Sequence, residues 1–156
     1  MNIDLLDKEL YKKIKSKKGN EWTEDFAEEV YDDVIKHKYF ITNLGKCTQI
    51  DARALPDSIY EKYLHLLEKE IDIVKPKVII LFGNQVSSIV LNKKISVSQV
   101  RKKLFLKDIK GTKYKFYSVY YPIGNGRFNI DKSIEDIKWI IDHELKVENK
   151  DSHFKP

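Results

Sequence analysis

Lys75-Pro76-Lys77-Val78-Ile79-Ile80-Leu81-Phe82-Gly83 is the stretch whose reading settles the class of fold. The unbroken apolar run from Val78 to Phe82 has the length and β-branched character of a strand buried on both faces, as parallel strands in α/β proteins are. Pro76 stops the helix before it, and Gly83 lets the backbone turn sharply into a short helix, Gln85 to Leu91. Upstream, Ile59, Tyr63, Leu66, Leu67, Ile71 and Val74 recur on one helical face opposite Glu61, Lys62, Glu68 and Lys69, with Asp57 or Ser58 as the cap. Downstream, Lys103 to Asp108 and Tyr114 to Tyr120 alternate around Lys110-Gly111, the pattern of a hairpin whose second arm continues into the sheet. Ile130 to Val147 forms a closing helix, with Ile134, Ile137, Trp139, Ile140, Ile141 and Leu145 largely inward.

Toward the amino terminus, Ile3 to Ile14 carries apolar residues near helical spacing with Asp4 as a cap. Lys12, Lys13, Lys15, Lys17 and Lys18 then form either a solvated face or a phosphate-contacting patch. Gly19 and Asn20 break this helix, and Thr23 to Val34 is amphipathic, capped by Thr23 or Asn20. Tyr39-Phe40-Ile41-Thr42 runs into Asn43 and Gly45, which predicts a short buried strand emptying into a loop that reaches Pro56. Helices alternating with apolar strands make an α/β three-layer sandwich with a short, mainly parallel sheet; the alternative is an α+β domain in which the hairpin stands apart. Loops at the carboxyl ends of parallel strands are where open α/β sheets place their ligand sites. Asn43 stands at such an end, and its amide offers one acceptor and two donors, the complement of a base edge; a turn or capping role is the plainer reading.

Composition bounds the rest. At 156 residues, 42% hydrophobic and 34% charged, the chain is expected to form one domain over residues 1–147 with a polar tail over 148–156. No apolar run is long enough for a membrane span, and Asp4, Asp7 and Glu9 interrupt any signal-peptide core, so a cytoplasmic location is expected. The net charge of +5 favours a polyanionic partner. Cys47, the single cysteine, excludes an intramolecular disulfide and is expected to be a small buried residue. His37, His65, His143 and His153 are too scattered for a metal site, and no cofactor is expected.

Ile41-Thr42-Asn43-Leu44-Gly45-Lys46-Cys47, followed by Arg53, Pro56 and the Lys75 to Gly83 segment, resembles the uracil-DNA glycosylase superfamily, closest to its family 4 branch. The resemblance covers about Gly19 to Ile141. It implies that Asn43 binds uracil and that Arg53 lies in a DNA-contacting loop. Tyr120-Tyr121-Pro122-Ile123-Gly124-Asn125-Gly126-Arg127 resembles the family's second motif, His-Pro-Ser followed by an arginine. Tyr121 stands where the family has the histidine that stabilises the departing uracil anion. Gly124 and Gly126 would let this loop approach DNA, with Arg127 on a phosphate; an ordinary glycine-rich turn is the equal alternative.

The chain also departs from that pattern. Family 4 members typically hold an iron-sulfur cluster on four cysteines, of which only the position of Cys47 is kept, so no cluster is expected. The loop whose carboxylate positions the attacking water, and the aromatic that stacks on uracil, do not occur. Asp51, a loop carboxylate, reads as a turn or solvated residue. The lost segment is also a central strand of the family's sheet. Another element fills that gap, or neighbouring strands close up, or two chains complete the sheet as a homodimer. Two functions stand side by side: a base-excision repair glycosylase, impaired in catalysis, that flips uracil from single- or double-stranded DNA, and an inactive relative that binds DNA or another protein.

Overall fold

The computed structural model describes residues 7–48, 55–122 and 128–145, and the chain divides into two units, Met1–Thr42 and Asn43–Pro156.

The first unit holds helices α1 (Lys8–Ser16) and α2 (Glu24–Lys36). Asp7, rather than Asp4, caps α1: its carboxylate accepts the amides of Glu9 and Leu10 at 2.9 and 3.1 Å. Those backbone donors hold Asp7 below its ordinary carboxylate pKa. Thr23 caps α2 by accepting from the Phe26 amide at 3.3 Å. Leu10 and Phe26 are buried, and Trp22 meets Phe26 edge-on with centroids 5.0 Å apart. α2 ends in a Schellman turn, with Tyr39 N–H on Val34 C=O at 3.2 Å and Lys38 N–H on Ile35 C=O at 2.8 Å.

The expected strand from Tyr39 to Asn43 does not form. A β-prone run becomes a strand only where a ladder partner takes up its backbone groups. Phe40 and Ile41 here are exposed.

The second unit contains α3 (Asp57–Val74), β1 (Ile79–Phe82), α4 (Asn84–Leu91), α5 (Val97–Val100), β2 (Phe105–Ile109), β3 (Thr112–Val119) and α6 (Ile130–Leu145). The sheet among the described residues runs β1-β3-β2. β1 pairs with β3 in parallel, Leu81 opposite Ser118, and β2 pairs with β3 antiparallel, Phe105 opposite Phe116. The hairpin therefore joins the sheet and supplies its centre, so the sheet is mixed rather than mainly parallel. Lys110 and Gly111 both have positive φ, 51° and 83°, as a type I′ turn demands.

The layers follow from alternation along β3. Tyr114 and Phe116 pack with Leu67 and Ile71 of α3 and with Ile89 and Val90 of α4. Tyr117 and Val119 pack on the opposite face with Ile140 of α6. This is an α/β sandwich of three layers, the expected class. β1 departs from its reading in one respect: Ile79 and Ile80 are only partly buried and Phe82 is exposed, because no described strand lies outside it.

Candidate functional site

Gly83 organises the end of the sheet. Its φ of 88° suits glycine, and a Cβ built on it would lie 3.2 Å from the Cβ of Tyr121. Its N–H donates to Val119 C=O at 2.8 Å, so the carboxyl ends of β1 and β3 are tied together and the chain leaving β3 passes directly over the glycine. Tyr121 emerges there, 52% exposed. Its approach is held from α6, where the Ser133 hydroxyl donates to Tyr120 C=O at 2.8 Å. Lys132 lies over the Tyr120 ring, 5.7 Å from its centroid.

α6 is in turn fixed by charge. Asp136 is fully buried and accepts from Arg101 Nε at 2.8 and 3.1 Å and from Nη2 at 2.9 Å. Glu135 accepts from Arg101 Nη2 at 2.9 Å and also from Lys102. These hydrogen bonds, that from Lys102 foremost, hold Glu135 below its ordinary pKa. At the far end of α6, Glu144 accepts from Lys115 at 2.7 Å and from the Tyr117 hydroxyl. Burial pushes Glu144 up, but those two donors together bring it below its ordinary value. Burial first, and then the bond to Glu144, raise the Tyr117 phenol.

Asn43 is exposed, and the residues after it are anchored. Leu44 is buried in the cluster that includes Leu81 of β1 and Phe116 of β3. Gly45 lies on the Tyr60 ring, where a Cβ would come within 3.0 Å of Cε1. Lys46 Nζ donates to both carboxylate oxygens of Glu70, at 2.8 and 2.9 Å. Cys47 is exposed rather than buried, and its hydrogen-bonding and charge interaction with the Tyr63 phenol pushes that phenol above its ordinary value. A small thiol at the end of a coil segment that runs along one helix stays at the surface, since Leu44 alone of that segment enters the core.

The structure thus ties Asn43 and Tyr121 to the same sheet, Asn43 through Leu44 and Tyr121 through Gly83. Arg53, Gly124, Gly126, Arg127 and Asp51 lie outside the described residues. Tyr60 and Glu70, which meet Gly45 and Lys46, were not singled out from the sequence; their signal is spacing, since Tyr60, Tyr63, Leu67 and Glu70 share one stripe of α3. A polar cavity of ≈ 300 Å³ lies between α3 and α4, lined by Asp57, Glu61, Ser88, Ile89, Asn92, Lys93 and Lys94, and includes neither Asn43 nor Tyr121. Among the described residues, no group of three His, Cys, Asp or Glu side chains is placed to hold a metal ion, and no helix is long and apolar enough to cross a membrane.

The three-layer α/β unit thus carries Tyr121 just past the carboxyl end of β3 and Asn43 on a coil segment held to the core through Leu44. The family model of the uracil DNA glycosylase superfamily matches residues 4–138, and the chain belongs to that superfamily. No curated protein matches the chain significantly.

Proposed function

We propose that the chain recognises a flipped uracil in DNA through Asn43 and hydrolyses its N-glycosidic bond only weakly, as a cytoplasmic protein of base-excision repair. The observation that carries this reading is the presentation of Asn43: an exposed amide on a segment pinned by Leu44 to the core of a uracil DNA glycosylase superfamily chain. A side chain that only terminated the segment would not need the three residues after it to be held so closely. In this reading Arg53, Gly124, Gly126 and Arg127 meet the DNA backbone, and Tyr121 faces the leaving group.

The chemistry explains the expected weakness. Water adds to C1′ of the deoxyribose, the C1′–N1 bond breaks, uracil departs carrying the electron pair on N1, and the proton lost by the water passes to solvent, from which the uracil anion is later protonated. A cationic histidine stabilises that anion better than a phenol does, and no carboxylate has been assigned to hold the water. Each positioned group contributes on the order of 100-fold or more. The test is release of free uracil from single-stranded and duplex oligonucleotides at enzyme excess, with alkaline cleavage of the abasic product. Slow, near-background release is expected, and robust multiple turnover refutes the weak-hydrolase reading. In the same account the outer edge of β1, apolar throughout and unpaired among the described residues, is where a second copy would complete the sheet. A sedimentation series that stays monomeric at every concentration refutes that part alone.

A further inference from the structure

Asn43 lies in neither helix nor strand, so the direction of its amide depends on what fixes the backbone beside it. A free coil segment would sample many directions, and ordering it on binding would weaken recognition. Here the segment has little freedom. Leu44 is buried, and Gly45, Lys46 and Cys47 each meet α3, at Tyr60, Glu70 and Tyr63 in turn.

Those three helical positions, with buried Leu67 between them, form one stripe about 15 Å long at 1.5 Å rise per residue. Along it the contacts are of three different kinds. Gly45 brings bare backbone onto the Tyr60 ring, so close that an added Cβ would force the ring to give way. Lys46 and Glu70 make a two-oxygen ion pair with side chains only 22% and 31% exposed, which fixes a direction as well as a distance. Cys47 closes the segment beside the Tyr63 phenol, whose pKa it raises. Covering the core needs only Leu44; a partly exposed ion pair and a phenol–thiol contact add little to global stability. What they do add is position.

We propose that α3 is the positioning element for base recognition: Glu70, with Tyr60 and Tyr63, holds Leu44 to Cys47 so that the Asn43 amide is aimed before any nucleic acid arrives. This rests on Asn43 being the base-reading group. Glu70 touches no base; it acts through Lys46.

The experiment compares wild type, Glu70→Gln, Asn43→Ala and the reversed pair Lys46→Glu with Glu70→Lys. Affinities for single-stranded oligonucleotides containing one uracil or one thymine are measured by fluorescence anisotropy, and amide exchange of residues 44–47 is followed in the free protein. Misplacing a recognition group by about 1 Å costs on the order of 10- to 100-fold. Glu70→Gln should therefore cut the uracil-to-thymine ratio at least about tenfold, toward that of Asn43→Ala, with faster exchange at 44–47 and little change in melting temperature. The reversed pair should recover most of the ratio. Losing one negative charge raises affinity for both oligonucleotides alike, so a purely electrostatic role leaves the ratio unmoved. An unchanged ratio in Glu70→Gln, with wild type discriminating, overturns the proposal. If wild type does not discriminate, the reading of Asn43 fails, and exchange decides for α3 alone: faster exchange in Glu70→Gln sustains the clamp, and unchanged exchange overturns it.

Discussion

Replacing Arg101 with methionine should cost more stability than any surface substitution in the second unit. Asp136 on α6 is fully buried and receives three hydrogen bonds from the Arg101 guanidinium, at 2.8 to 3.1 Å. Methionine keeps much of the aliphatic stem but leaves the carboxylate buried without its partner, a change that typically costs about 3–5 kcal/mol. The Arg101 side chain is 27% exposed, so water can take up part of the vacated space and the lower end of that range, about 3 kcal/mol, is expected. Against a total of about 5–15 kcal/mol for a domain this is a large fraction. With a urea m-value of about 2 kcal/mol/M, the unfolding midpoint should fall by roughly 1.5 M. The double variant Arg101→Met with Asp136→Leu replaces the pair by apolar groups and should recover most of the loss, because neither charge then remains buried. Equilibrium urea unfolding followed by circular dichroism is the assay. A midpoint within about 0.3 M of wild type for Arg101→Met, or a double variant no better than the single, refutes the reasoning.

Further expectations concern pH and backbone strain. Glu135 and Glu144 are both held below their ordinary value of 4.5. The stability they contribute is therefore present above that pH and is lost as pH falls through their lowered values, loosening α6 first. Trp139, edge-on to Tyr117, reports this by fluorescence in a Trp22→Phe background; a signal flat to pH 2.5 contradicts it. Lys38 occupies the left-handed position of the Schellman turn, with φ of 61°. Lys38→Gly should relieve strain of about 1–2 kcal/mol at an unfolded-state entropy cost of about 0.4–1. A net gain follows, and any loss in a urea titration counts against it.

Local rules carried the sequence reading where the structure is made by near neighbours. Lys110-Gly111 marked the hairpin because a type I′ turn selects residues that tolerate positive φ. Alternation along Tyr114 to Tyr120 marked the hairpin arm that continues into the sheet, and β3 is the strand that packs helices on both sides. The reading broke down where a distant partner decides. Tyr39 to Thr42 has the composition of a strand, but propensity says nothing about whether a ladder will meet it. Val78 to Phe82 has the composition of a central strand and occupies an edge among the described residues, since strand order depends on the topology of the whole chain. The Lys46–Glu70 pair spans 24 residues and the Arg101–Asp136 pair 35; neither has a local pattern to announce it. Asn43 was legible as a candidate from its position and from the family motif around it, whereas the helix stripe that holds it came only from the structure.

In the function proposed above, Asn43 reads the base. The most direct measurement is the affinity of wild type and Asn43→Asp for single-stranded oligonucleotides carrying one uracil, cytosine or thymine, at fixed low salt. A good bidentate amide–base pair is worth about 1–3 kcal/mol, or roughly 5- to 150-fold. Wild type should prefer uracil to cytosine within that range. Asn43→Asp, which exchanges the amide's donor for an acceptor, should lose that preference or turn it toward cytosine, with fold stability within about 0.5 kcal/mol of wild type. Equal binding of all three oligonucleotides by wild type, or an Asn43→Asp variant that keeps the uracil preference, contradicts the account.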